Sequence, residues 1–118
     1  MINTKILRFE IYVADLDPTV GTELKKARPV LIVSNNLINQ YAPQVIGIPF
    51  TSNIIRSDGP EVMLVRKSRK NGLNKDSILL GIKIKSLNKL RIQKKLGTLE
   101  EKYFPEVMKV LKGMFDID

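Results

Sequence analysis

Apolar and polar positions along the chain change period several times, and each change predicts an element. Glu10–Leu16 reads as a first strand, stopped by Asp17-Pro18. Pro18 to Lys26 is polar and basic with Gly21 inside it, a loop by composition. Arg28–Ser34 is a β-branched, continuously apolar run, which predicts a buried strand with Pro29 at its start, where a missing N–H is tolerated. A turn begins at Asn35-Asn36, and Leu37–Tyr41 is expected to make one short helical turn. Gln44–Thr51 predicts a third strand, with Pro49 pointing to an edge or a bulge. Ser52–Pro60 is a loop, and Glu61–Val65 a further strand. A basic loop, Arg66–Lys75, follows with a turn at Asn71-Gly72. Ser77–Leu87 is expected to form one long strand. Its Ile82–Lys85 stretch alternates apolar and basic residues as one solvated face would require.

The last segment switches to helical spacing. Thr98 and Glu101 stand at capping-box separation, and Pro105 fits a first helical position. Val107, Val110, Leu111, Met114 and Phe115 form an i, i+3, i+4, i+7, i+8 stripe that faces either the chain's own core or a partner. With no repeat, linker or low-complexity tract, residues 1–118 are expected to form one domain: a small, mainly β barrel with short helices and a C-terminal helix.

Composition narrows the chemistry. The 118 residues contain neither cysteine nor histidine, so disulfides, thiolate catalysis and imidazole acid–base or metal chemistry are excluded. Any catalyst must use Arg, Lys, carboxylates and hydroxyls, and no metal or cofactor is expected. The 20 Lys and Arg against 12 Asp and Glu give a net charge of +8, which suits nucleic acid, an anionic membrane or an acidic protein, or is simply a basic surface. No stretch is long and apolar enough for a membrane span, and Met1–Lys5 opens no signal region, so a cytoplasmic location is expected. Aromatic residues make up only 6%, too few for a broad base-stacking platform, and alternation assigns Phe50 to the core.

Several motifs occur in order over nearly the whole chain. Asp15-Leu16-Asp17-Pro18 is followed by Gly21-Thr22-Glu23 and then by Arg28-Pro29, running to Ser34-Asn35. Pro49-Phe50-Thr51-Ser52 comes next, then Lys75-Asp76-Ser77, Lys83 to Lys89, Arg91 and Leu96-Gly97-Thr98-Leu99. This succession resembles the MazF/PemK toxins of type II toxin–antitoxin systems. The resemblance implies a compact SH3-like β-barrel with a C-terminal helix, acting as a homodimer. It also implies metal-independent cleavage of single-stranded mRNA at short sequences, and an acidic antitoxin as partner.

RNA supplies its own nucleophile, the 2′-hydroxyl, so such a reaction requires neither histidine nor metal. Arg28 matches the family's catalytic Arg-Pro position, and a guanidinium fork can bind two phosphate oxygens at once. The alternative for Arg28 is a structural ion pair with a loop carboxylate. Thr51 matches the family's catalytic threonine, whose hydroxyl can donate to the scissile phosphate; alternatively it caps the turn at Ser52-Asn53. Glu23, in the Gly-Thr-Glu motif, could orient Arg28 or accept the 2′-hydroxyl proton, or else be plain surface. Thr22, Ser52, Lys25, Lys26, Lys83, Lys85 and Arg91 are candidate RNA contacts, with binding expected to weaken steeply in salt.

The sequence departs from the family pattern in three places. Phe9 stands between Arg8 and Glu10 where the family has glycine, which should shift the local turn. Ile82 and Lys83 stand where relatives carry an acidic residue and Gln, and Ile82 cannot accept a proton. Lys85 replaces a common Arg, keeping charge but not the fork. Two alternatives to the active ribonuclease follow: a weakened relative that binds RNA or antitoxin without cutting, and a protein-targeting, gyrase-poison-like toxin on the same fold.

Overall fold

The chain forms a twisted antiparallel sheet with one helix packed across it. The structure is a computed structural model that describes residues 5–16, 27–54 and 58–118. Its strands are β1 (Glu10–Asp15), β2 (Ala27–Ile32), β3 (Gln44–Thr51), β4 (Val62–Val65), β5 (Ser77–Leu80), β6 (Lys85–Asn88) and β7 (Ile92–Thr98). Helix α1 (Asn36–Tyr41) joins β2 to β3, and α2 (Phe104–Phe115) closes the described chain. The seven strands run in the order β4-β5-β3-β2-β1-β7, with β6 also on β3.

Strand alternation sends successive side chains to opposite faces, and here both faces are covered. Ile11, Leu31, Ile48 and Phe50 join Met63, Val65, Leu79 and Leu99 under Val107 and Val110 of α2. Tyr12, Ala14, Val30, Ile32 and Val45 pack on the other side with Leu87 and Ile92. That double burial explains the unbroken apolar run after Pro29. The mainly β class with a C-terminal helix is as expected. The hydrogen-bonded path is open, however, because β4 and β7 do not pair with each other among the described residues. The loop 66–75 bridges these edges instead: the Thr98 N–H donates to the Lys70 carbonyl at 2.9 Å.

Three local expectations need correction. Pro49 is on neither an edge nor a bulge: it is buried in the central β3, between the stretch paired with β6 (Gln44–Gly47) and the stretch paired with β5 (Phe50–Thr51). A residue without an N–H fits the point where the strand changes partner. Ser77–Leu87 is not one strand, for a 3-10 turn, Gly81–Lys83, separates β5 from β6. The Gly81 N–H donates to the Glu61 carbonyl at 2.8 Å, and a Cβ there would lie 2.5 Å from that oxygen and 2.9 Å from Val110. Thr98 is a strand residue opposite Glu10 rather than a helix cap. Helix α2 begins at Phe104 after a 3-10 turn, with Pro105 in its first turn as expected.

Phe9 stands where the family pattern has glycine, and its φ of 71° is in the left-handed region. A bulky residue there costs about 1–2 kcal/mol. The Phe9 ring stacks on Phe104 with centroids 4.0 Å apart, and the Arg8 guanidinium lies 4.7 Å over it. Such contacts contribute about 0.5–1.5 kcal/mol each and offset the strain. The predicted α1 turn is held by Asn35, whose side chain accepts from the Ile38 N–H at 2.9 Å. Buried Asn39 donates to the Ser34 carbonyl, and the Ser34 hydroxyl accepts from the Ile46 N–H. Along α2, Val107 and Val110 are buried, Leu111 and Met114 pack against the core, and Phe115 is exposed.

Next to Phe9, the buried Glu10 carboxylate accepts from the Leu7 N–H (2.8 Å), the Tyr12 hydroxyl (2.8 Å) and Lys95 Nζ (2.7 Å). Burial pushes its pKa up, but these donors and the Lys95 charge outweigh that and hold it below the ordinary 4.5. A depressed carboxylate contributes stability above its unfolded pKa and loses it as pH falls through the folded value. Stability should therefore decline once pH drops below about 4.3. Glu10→Gln should flatten that decline, read as urea midpoints across the acid limb. An unchanged slope in the variant would show that Glu10 is not coupled to folding.

Candidate functional site

The two prolines that punctuate β2 and β3 shape one end of the sheet. The β2–β3 ladder runs Ile32↔Gly47, Leu31↔Ile48 and Val30↔Pro49, then stops. Pro29 and Pro49 have no N–H to extend it. Carried one residue further, the same register sets Pro29 level with Phe50; carried two, it sets Arg28 level with Thr51. On the other side, β1 and β7 continue these rows through Pro29↔Val13↔Lys94 and Arg28↔Ala14↔Ile92.

The first row forms the floor of a cleft of about 530 Å³. Val13, Pro29, Phe50, Leu73 and Leu96 give it apolar walls, and Ser52, Asn74 and Ser77 add polar groups. Its cations are Arg28, Lys75 and Lys94, and no carboxylate lines it among the described residues. Arg28 is half-buried, whereas Lys75 and Lys94 are exposed at the rim. Phe50 is only 1% exposed, so it is floor rather than a stacking platform. The field inside favours an anion, and partial exclusion of water strengthens each charge–phosphate contact.

The candidate residues divide accordingly. Arg28 and Ser52 share the cleft. Thr51 lies between Phe50 and Ser52, and its hydroxyl oxygen accepts from the Asn53 N–H at 3.2 Å. The turn-capping role is thus realised, and the O–H remains able to donate to a ligand. Arg91 sits near the same end of the sheet, its guanidinium 3.4 Å from the Asp15 carbonyl and 3.9 Å from the Asp15 carboxylate. Lys85 is opposite Gly47 on β6, and Lys83 ends the 3-10 turn beside α2; neither lines the cleft. Ile82 in that turn is 63% exposed and brings no proton acceptor. Glu23, Thr22, Lys25 and Lys26 lie outside the described residues.

Lys75, Lys94, Asn74 and Ser77 are site residues that the sequence did not reveal. Lys75 stood within a recognised motif, next to Asp76-Ser77, and Lys94 and Leu96 alternate on β7. The two lysines stand 19 positions apart in sequence, and the loop ahead of β5 together with the register of β7 brings them to one cleft. Among the described residues no group of three or more metal-ligating side chains occurs, and no helix is long and apolar enough to cross a membrane.

Residues 7–115 match the family model described as a PemK-like, MazF-like toxin of type II toxin–antitoxin systems. The chain is 39% identical over 100 residues to "Endoribonuclease MazF" of Staphylococcus saprophyticus, covering 85% of this chain and 82% of that protein. It is 38% identical over 102 residues to the protein of the same name from Staphylococcus epidermidis, covering 86% and 84%. Among solved structures it resembles MazF from Deinococcus radiodurans, with a TM-score of 0.78 at 19% identity over 98% of this chain and all of that one. A mycobacterial endoribonuclease solved with its cognate antitoxin gives 0.77 at 23% identity, covering 96% and 97%. Identities this low speak for the fold alone.

Proposed function

The chain belongs to the family of PemK-like, MazF-like toxins of type II toxin–antitoxin systems, and from that premise we propose that it is an endoribonuclease toxin cutting single-stranded mRNA at short sequences without a metal. The carrying observation is the cleft in which Arg28 is flanked by Lys75 and Lys94 with no carboxylate among its described lining. The Staphylococcus relatives bear the name endoribonuclease at nearly two-fifths identity.

In the proposed reaction the 2′-oxygen attacks the adjacent phosphorus and the bond to the 5′-oxygen breaks. The products are a 2′,3′-cyclic phosphate and a 5′-hydroxyl. Arg28 binds two non-bridging oxygens, a contact worth about 2–4 kcal/mol in the transition state when preorganised. Thr51 donates to the same phosphate. Glu23 takes the 2′-hydroxyl proton, since Ile82 cannot, and water protonates the leaving oxygen. Lys75, Lys94, Ser52 and Arg91 steer the backbone. The protein works as a cytoplasmic homodimer, and its +8 charge attracts an acidic antitoxin segment that orders on binding.

The exposed Ile82 favours one second reading, a relative that holds RNA without cutting it. Incubation with a long single-stranded RNA in EDTA separates the two. Discrete cuts with cyclic phosphate ends are expected. Intact RNA with tight, salt-sensitive binding would establish the binder instead.

A further inference from the structure

The cleft's outer wall, Leu73-Asn74-Lys75, is the end of a loop whose remaining cations the cleft does not use. Loop 66–75 carries Arg66, Lys67, Arg69, Lys70 and Lys75, all exposed. Two carboxylates touch the loop, and both are engaged: Asp76 by the Lys67 N–H at 2.8 Å and by Arg66 at 3.4 Å, and Glu100 by Ser68 and Asn71.

This loop is built as a rigid platform around Asn71, which is fully buried. The Asn71 amide donates to the Arg66 carbonyl (2.9 Å) and to Glu100 (3.0 Å), and its oxygen accepts from the Ser68 and Leu73 N–H groups. The Ser68 hydroxyl donates to the other Glu100 oxygen at 2.6 Å. Gly72 supplies the left-handed turn, with φ 74°. The Lys70 carbonyl is bonded to the Thr98 N–H on β7, and the Arg66 N–H to the Tyr103 hydroxyl at 3.1 Å. Cations on a backbone fixed this way lose little further freedom on binding.

We propose that Lys67, Arg69 and Lys70 form a phosphate track that continues the cleft and holds the nucleotides flanking the scissile one. This rests on the ribonuclease reading above. The choice of a polyanion over an acidic protein follows from what the loop lacks. Its single apolar residue, Leu73, is buried at 6% exposure, and the exposed large apolar side chains are on other segments: α1, Ile46 of β3, Ile54, Ile82, Leu90 and the end of α2. A folding acidic segment needs apolar surface to dock on, whereas an RNA backbone needs only spaced charge.

The test uses binding in EDTA, with Arg28→Ala as background so that RNA stays intact. Lys67→Ser, Arg69→Ser and Lys70→Ser are combined; all three side chains are exposed, and the Asn71 hub is untouched. For a long single-stranded RNA the slope of log affinity against log salt should become shallower by about 2, from three phosphates at roughly 0.7 each. A short oligonucleotide filling only the cleft should show a much smaller change. A second variant, Lys67→Arg with Arg69→Lys and Lys70→Arg, should keep the original slope, because tracking needs charge and not one particular geometry.

An unchanged slope in the serine variant, or equal changes for long and short RNA, would overturn the track. So would loss of slope in the charge-preserving variant, which would mark a structural effect. If the serine variant instead loses affinity for a poly-glutamate peptide while its RNA slope stays put, the loop serves an acidic protein. If the unmutated protein neither binds nor cuts the long RNA, the ribonuclease reading itself falls, a result distinct from these.

Discussion

Arg28→Ala is expected to slow RNA cleavage by about two to three orders of magnitude, which corresponds to roughly 3–4 kcal/mol of lost transition-state stabilisation. RNA affinity should fall far less, because Lys75 and Lys94 still line the cleft. The division follows from the chemistry. Extra negative charge gathers on the non-bridging oxygens only as the 2′-oxygen attacks, so a donor fork aimed there acts mainly on kcat. Arg28→Lys keeps the charge and loses the paired geometry, so it should recover only part of the rate. Single-turnover cleavage and equilibrium binding of the same RNA would measure both quantities. A variant that binds poorly but cuts bound RNA at the normal rate would remove Arg28 from the chemistry and leave it a tether. Thermal melting belongs beside these assays, because Arg28 sits opposite Ala14 in the sheet and is half-buried.

Much of this arrangement was legible in the sequence, for a physical reason. The strands β1 to β3 are buried on both faces over much of their length, and continuous apolar runs of that kind survive whatever the rest of the chain does. The failures share another cause. Ile82–Lys85 alternates like a strand, but Gly81 must tuck under the Glu61 carbonyl and against Val110, and that contact turns the corner. Thr98 has the spacing of a cap, yet pairing with β1 opposite Glu10 claims it first. In both places a partner remote in sequence overrode a local signal. The site divides the same way. Arg28, Thr51 and Ser52 stand within motifs, whereas Lys94 enters the cleft only because Val13 and Pro29 lie in its row. The rigidity of loop 66–75 was equally hidden, since its hub Asn71 reads as an ordinary turn residue and its anchor Glu100 lies far along the chain.

The junction between that loop and β7 carries the second large prediction, Gly97→Ala. In a strand this change ordinarily stabilises by about 0.4–1 kcal/mol, since alanine has less freedom to lose on folding. Here the sign should reverse. A Cβ on Gly97 would lie 2.1 Å from the Lys70 carbonyl oxygen and 2.7 Å from the Asn71 carbonyl carbon. Both are backbone atoms, and neither is the yielding end of a side chain. The Lys70 carbonyl cannot retreat without releasing the Thr98 N–H, nor Asn71 without leaving buried polar groups unpaired. Overpacking of this kind typically costs about 1–3 kcal/mol, and the lost hydrogen bonds push the total to the upper end or beyond. Chemical denaturation should show a loss of about 3 kcal/mol, and Tm should fall by roughly 10 °C. The loop would loosen before the sheet, so hydrogen exchange at Gly72 and Leu73 should rise first. A stability equal to or above the parent would mean that loop and strand slide apart freely. In that case the platform proposed for the RNA backbone would not be rigid.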